Sequence, residues 1–201
     1  MTFSENANKV FDFTVQTYHI SDSIDAQVRA PYPEGSLDKV LFDKCWVDAA
    51  QWHMEDLIRV PDLDPAEGMA LKRRIDKSNQ VRTDMVEDID TWFRNKYADV
   101  QILEDATINT ESPAWAIDRL SILALKIWHM REQSEREDAS AEHRATAESK
   151  LAVLLEQRKD LSCAIDALLD DIAAGRKYMK VYRQMKLYND PATNPELYKK
   201  K

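Results

Sequence analysis

The chain has 201 residues, a net charge of −8 and only three glycines, Gly35, Gly68 and Gly175. That length suits one domain, 1–201, with one core, and the long runs of Ala, Leu, Glu, Lys and Arg exclude a sheet protein in favour of an all-α fold. No membrane insertion is expected, because the most apolar stretch, 117–130, is interrupted by Asp118, Arg119, Lys126 and His129.

The first predicted helix covers about 6–19, with Phe11, Thr14, Val15 and Tyr18 on one side. Residues 22–36 form a connector, punctuated by Pro31, Pro33 and Gly35. Ser36 caps a second helix running to about Arg59. Its apolar side carries Val40, Trp46, Val47, Ala50, Met54 and Leu57, opposite Lys44, Asp48 and Glu55. A third helix starts near Pro65 and lasts to Trp92 or Tyr97. After a loop, Ser112 and Pro113 open a fourth, and a fifth runs from the DASAEHR region to about Ala174, where Gly175 ends or bends it. A short basic, aromatic helix over 176–188 follows, with Tyr178, Tyr182 and Tyr188 among its lysines and arginines, and 189–201 is a loose C-terminal tail. These elements predict a mainly antiparallel bundle of about five helices with a short C-terminal helix.

Charge is uneven. From Arg176 onward eight Lys or Arg face two acids, a net +6, which leaves −14 for the preceding residues. An acidic body disfavours nucleic acid, whereas the basic end suits an anion or an acidic partner. The amino terminus lacks the basic-then-apolar order of a secretion signal, so a cytoplasmic location is expected. Cys45 and Cys163, both near predicted core faces, read as small buried hydrophobes. Five tryptophans on long helices favour self-association.

The functional signal is polar residues where a core should be. In the fourth helix the apolar positions cover more than half the circumference, and Asp118, Ser121, Lys126, His129 and Glu132 share the remaining face. His53 lies on the second helix's apolar side, three residues before Asp56. Arg74, Ser78 and Arg82 fall on a stripe with Leu71, Ile75, Met85, Ile89 and Phe93, and Arg158 sits among the leucines of the fifth helix. A core-directed guanidinium needs a carboxylate or a bound anion, because arginine does not shed its charge. Internal ion pairs with Asp56, Asp118 or Asp166, an anion pocket, and wrongly phased helices with wet arginines all remain open. In the pocket reading Arg74, Arg82, Arg119 and Arg158 hold the anion with Glu111 at the mouth of the central helix.

A metal is open but not favoured. The chain has no Glu-x-x-His pair for a di-iron bundle, and His129 and Glu132 stand in the reverse order. His53, Asp56, Asp118 and His129 could converge across the bundle as a nitrogen and oxygen site for Zn²⁺, Mn²⁺ or Fe²⁺, or serve as acid–base residues. No Gly-rich phosphate loop, G-x-S-x-G elbow, H-E-x-x-H or dinucleotide fingerprint is present.

The segments WVDAAQWHMEDLIR, LKRRIDKSNQVRTDMVEDID, INTESPAWAIDRLSILALKIWHM, LLEQRKDLSCAIDALLDDI and KVYRQMKLYNDP together span most of the chain. In them the protein resembles the bacterial family DUF4254. Members of that family look associated with bacteria that build elaborate surface glycans, often near sugar-transfer genes. The resemblance implies a cytoplasmic accessory of cell-surface polysaccharide biosynthesis, with a phosphorylated sugar, nucleotide-sugar or similar anion as ligand and a biosynthetic protein as partner. The competing expectations are a metal-assisted phosphoryl-transfer or hydrolytic enzyme and a non-catalytic assembly protein.

Overall fold

The long helices begin where the sequence supplies caps. The computed structural model describes residues 1–185, 187 and 190–199. Helix α1, Phe3–Ser21, opens on a capping box in which Thr2 and Glu5 satisfy each other's backbone amides. Ser36 caps α2, Leu37–Leu57, and Asp64 caps α3, Pro65–Lys96, which has proline in its first turn. Ser140 caps α5, Ala141–Ala173. Helix α4, Pro113–Glu135, differs: Ser112 holds the N-cap position without a side-chain cap bond. Asp90 of α3 does that work instead, accepting from the Ala114 amide at 3.1 Å and the Ser112 hydroxyl at 2.5 Å. The start of α4 is therefore tied to a neighbouring helix, not to its own loop.

Among the described residues the chain is an all-α single domain of six helices, mostly antiparallel, the last being the one-turn α6 at Pro195–Tyr198. Helices α1, α2, α3 and α5 all pack on α4. The core joins Phe11, Tyr18, Phe42, Phe93, Ile117 and Leu120. Full burial of such a side chain contributes about 1.5–3 kcal/mol. The α1 stripe of Phe11, Thr14, Val15 and Tyr18 is buried as its spacing predicts. A smaller cluster of Met54, Leu71 and Ile75 closes the α2–α3 connection. No helix among the described residues is long and apolar enough to cross a membrane.

Several expectations fail for physical reasons. Helix α2 is rotated from its predicted phase, because Leu41, Phe42, Cys45 and Ala49 form its inner face and carry Lys44 and Asp48 inward with them. Burial pushes the Cys45 thiol up to about 12, so it stays protonated, whereas Cys163 is exposed and not the core residue expected. In α5 the inner positions are Ala147, Ile165, Leu168, Leu169 and Ile172, and Leu155 faces solvent.

The predicted helix over 176–188 does not form among the described residues. A two-residue strand β1, Thr107–Ile108, pairs in parallel with β2, Lys177–Tyr178, and residues 179–185 are irregular; Lys186 and Tyr188 lie outside the described residues. Gly175 is the cause. It takes φ of 70°, ends α5, and its carbonyl accepts from the Leu103 amide at 3.0 Å. A Cβ there would collide with the backbone oxygen of Gln101. The chain is thereby turned onto the 101–108 loop, where strand pairing replaces helical bonds. Replacing Gly175 with alanine is expected to cost about 1–3 kcal/mol from backbone strain alone, with the collision adding to it. Urea denaturation should show a lowered midpoint for Gly175→Ala, and an unchanged midpoint would refute this role.

Candidate functional site

The inward rotation of α2 creates a buried cluster of four charges. The side chains of Lys44 and Asp48 are both 0% exposed, and that of Asp118 is 13% exposed. Lys44 Nζ lies 2.5 Å from Asp48 Oδ2 and 2.7 Å from Asp118 Oδ1. Arg82 Nε donates to Asp48 Oδ1 at 2.6 Å, and its Nη2 to Asp118 Oδ1 at 2.8 Å. Ser121 Oγ adds a 2.6 Å bond to Asp48 Oδ2. Two cations thus balance two carboxylates contributed by α2, α3 and α4. Burial by itself would lower the Arg82 pKa, but the adjoining Asp48 and Asp118 more than offset it, and the guanidinium is held charged.

The other sequence-selected arginines are paired as well, nearer the surface. Arg74 is exposed and not on the core stripe, where it meets Asp25 at 2.8 Å; Arg119 bonds Glu111, and the half-buried Arg158 bonds Asp12 at 2.7 Å. The four arginines therefore do not converge on one pocket. Asp166, offered as an internal partner, instead accepts from the Ser4 amide and hydroxyl at the start of α1.

Beside the charge cluster runs a groove made of two adjoining cavities. One, of about 350 Å³, is lined by Asp48, Gln51, Glu55, Arg59, Arg82 and Ile122, and shares Trp52 and Asp56 with the next. The second, of about 360 Å³, adds Tyr18, His19, Asp22, His53, His129 and Glu132. The sequence reading therefore brought His53, Asp56 and His129 to one cavity. Asp118 belongs to the ion cluster instead.

Each histidine of the groove is anchored through Nδ1. His129 Nδ1 lies 3.0 Å from Glu132, His19 Nδ1 lies 2.7 Å from the Val15 carbonyl, and His53 Nδ1 lies 3.0 Å from the Tyr18 hydroxyl. The His129 ring stacks on Trp52 at 5.1 Å, and the His19 ring stacks on Trp128 at 4.7 Å. Burial lowers the His129 pKa against the opposing pull of Glu132, which favours a neutral ring. With Nδ1–H directed at Glu132, Nε2 is the basic nitrogen. Burial, with Asp22 and Asp25, raises the Tyr18 pKa, so the phenol keeps its proton to share with His53. This arrangement can move protons. Among the described residues no group of three or more His, Cys, Asp or Glu side chains could hold a metal ion, so the four-residue ligand set is not assembled.

Sequence reasoning missed Lys44, Asp48, Tyr18, His19 and Trp52. The signal for the first two was present. They stand four residues apart, interleaved with Leu41, Cys45 and Ala49, so an inner face through those residues must carry them inward.

Fold and site together define a helical bundle with a buried ion cluster beside a histidine-lined groove. The model of the family DUF4254, described as a protein of unknown function, matches residues 38–181, and the chain belongs to that family. No curated protein and no solved structure matches it.

Two outcomes follow from this geometry. Lys44→Met leaves the Asp48 and Asp118 carboxylates with Arg82 as their one cation and should cost about 3–5 kcal/mol, whereas Arg74→Ala on the surface should cost at most about 1 kcal/mol. Chemical denaturation measures both, and equal small losses would show that the cluster is not a buried network. For His129 the folded state favours the neutral ring. As pH falls below the ordinary value of 6.5, the unfolded chain takes up the proton first. Its contribution is therefore complete above 6.5 and is lost on acidification toward the folded-state value. The wild-type urea midpoint should decline across that interval more steeply than that of His129→Gln, and parallel curves would contradict the lowered value.

Proposed function

We propose that this protein is a cytoplasmic accessory of bacterial cell-surface polysaccharide biosynthesis that binds a phosphorylated sugar, nucleotide-sugar or similar anion in the two-part groove. The observation that carries the ligand reading is the groove's chemical division. At one end, Arg59 and Arg82 line the wall while their carboxylate partners leave it near neutrality. The bonds of Arg82 use Nε and Nη2, so Nη1 is left for a phosphate oxygen. At the other end, Asp22, Asp56, Glu132 and the histidines offer acceptors and donors for hydroxyls, and the shared Trp52 supplies an apolar ring. A molecule with an anionic end and a polyhydroxyl end matches that order. The biosynthetic setting rests on the family association.

A second reading, a hydrolytic or phosphoryl-transfer enzyme, is favoured by one observation: His129 is held neutral with Nε2 as the basic nitrogen in the same cavity as the Tyr18–His53 pair. In it His129 Nε2 accepts a proton from the attacking hydroxyl and returns it to the leaving group, while His53, its Nδ1 bonded to the Tyr18 hydroxyl, donates a hydrogen bond through Nε2–H.

Thermal unfolding distinguishes these cases. Glucose 1-phosphate or a uridine-diphosphate sugar should raise the melting temperature more than glucose or inorganic phosphate alone, since a ligand at about 100 times its Kd adds about 2.7 kcal/mol. The shift should shrink in Arg59→Ala, whose exposed side chain contributes little to folding. No shift with any of the four compounds would reject the ligand reading and leave the non-catalytic assembly role. Product formation from the stabilising compound, abolished in His129→Gln, would establish the enzyme reading.

A further inference from the structure

A third cavity, of about 340 Å³, lies at the opposite end of α4 from the histidines. From Trp115 to His129 the helix advances about 21 Å at about 1.5 Å per residue, so this cavity is a separate place. Its walls come from the 108–112 loop, the start of α4, the end of α5 and the chain after β2. Gly175 and the β1–β2 pairing hold the two loops together, which makes the cavity a product of the strand ladder the sequence did not announce.

Its chemistry is specific. Trp115 and Tyr178 are half-buried in the wall, and Tyr182, 72% exposed, stands at the rim. Asn109, Thr110 and Glu111 line the same cavity. Asn109 donates to the Glu111 carbonyl at 3.1 Å, which leaves its side-chain oxygen, and Arg119 takes only one carboxylate oxygen of Glu111. The Thr110 hydroxyl and the two tyrosine hydroxyls have no partner among the described residues. Donors and acceptors thus share one small space with aromatic rings.

Fixed charge does not dominate it. Asp90 spends its oxygens on Ser112 and Ala114, which also caps the α4 amides that would otherwise attract an anion. Glu111 is paired with Arg119, and Lys180 sits over the Tyr178 ring at 5.9 Å. A guest must therefore present apolar C–H faces to aromatic rings and hydroxyls that both donate and accept, without needing a charge. A volume at the lower end of the range for small-molecule sites fits one or two rings.

We infer that this cavity binds a neutral pyranose ring of a glycan, independently of the ligand proposed for the groove. One face of the sugar lies against Trp115 or Tyr178, and its hydroxyls bond Thr110, Asn109 and the free oxygen of Glu111.

Saturation-transfer NMR on the full chain tests this with the methyl glycosides of glucose, galactose, mannose and N-acetylglucosamine. At least one should receive saturation, and its Kd should rise about tenfold or more in both Tyr178→Ala and Thr110→Val, roughly the loss of one good contact. Thr110→Val is isosteric and on an exposed loop, so it keeps the test valid if Tyr178→Ala fails to fold. His129→Gln should leave the glycoside signal unchanged. Absence of transfer from all four glycosides, an unchanged Kd in Thr110→Val, or loss of the signal in His129→Gln would each overturn the inference. Failure of the groove ligand in thermal unfolding would leave it untouched.

Discussion

Lys44, Asp48, Arg82 and Asp118 bury two positive and two negative charges where α2, α3 and α4 meet, and the arrangement works only if all four are present. The interior offers no water to replace a missing partner, so removal of one group strands another. The cluster also restricts how the helices can rotate. Apolar surfaces tolerate sliding, but a lysine nitrogen held by two carboxylates from different helices does not. Its stabilising value against an apolar replacement is small by this physics, since desolvation offsets most of the attraction. What it supplies is register. Register in turn presents Arg82 to the groove and sets His53 and Asp56, about one and two turns beyond Asp48 on α2, against the histidine cavity.

The sequence revealed elements well and rotations poorly. Ser36, Pro65 and Pro113 mark helix starts through backbone rules that act within a few residues, so the starts of α2, α3 and α4 were legible. The side of α2 that faces inward was not. A hydrophobic-face reading assigns lysine and aspartate outward, and the protein places Lys44 and Asp48 inside because each satisfies the other across one turn. Asp118 was recognised as central for the right reason, a carboxylate on a nearly all-apolar helix. Its pairing with Arg82 was among the readings the sequence left open, but Lys44 and Asp48 were not recognised as members of the cluster, because pairing between helices depends on distances that linear spacing does not contain. Arg82 and Arg74 shared one predicted stripe yet separated, since two helical turns along α3 carry the chain past the end of the charge cluster toward Asp25. The aromatic segment after Gly175 was misread for a local reason: its residues favour a helix, but the glycine turn offers strand partners first.

The groove histidines obey a second constraint, that a buried ring nitrogen needs a partner. Val15, Tyr18 and Glu132 each meet an Nδ1 position and so orient the rings. Stacking on Trp52 and Trp128 fixes the planes of His129 and His19. Rings fixed on both counts are pre-organised, and that property serves recognition and proton transfer alike.

Along α4, polar function is distributed by depth. At its first turn the backbone donors are capped by Asp90 and the adjoining cavity is aromatic and near neutral. At its middle, Asp118 and Ser121 are locked into the ion cluster. At its end, His129 and Glu132 line a cavity rich in titratable groups. One helix thus separates two cavities of different electrostatic character with a neutral network between them, which opens to the groove through Arg82. Because that network has no net charge, it transmits little field from one site to the other, and each is free to select its ligand by its own chemistry. Under the two proposals the groove would select a charged ligand and the aromatic cavity a neutral one, so the two ends would answer to different parts of a glycosylated molecule.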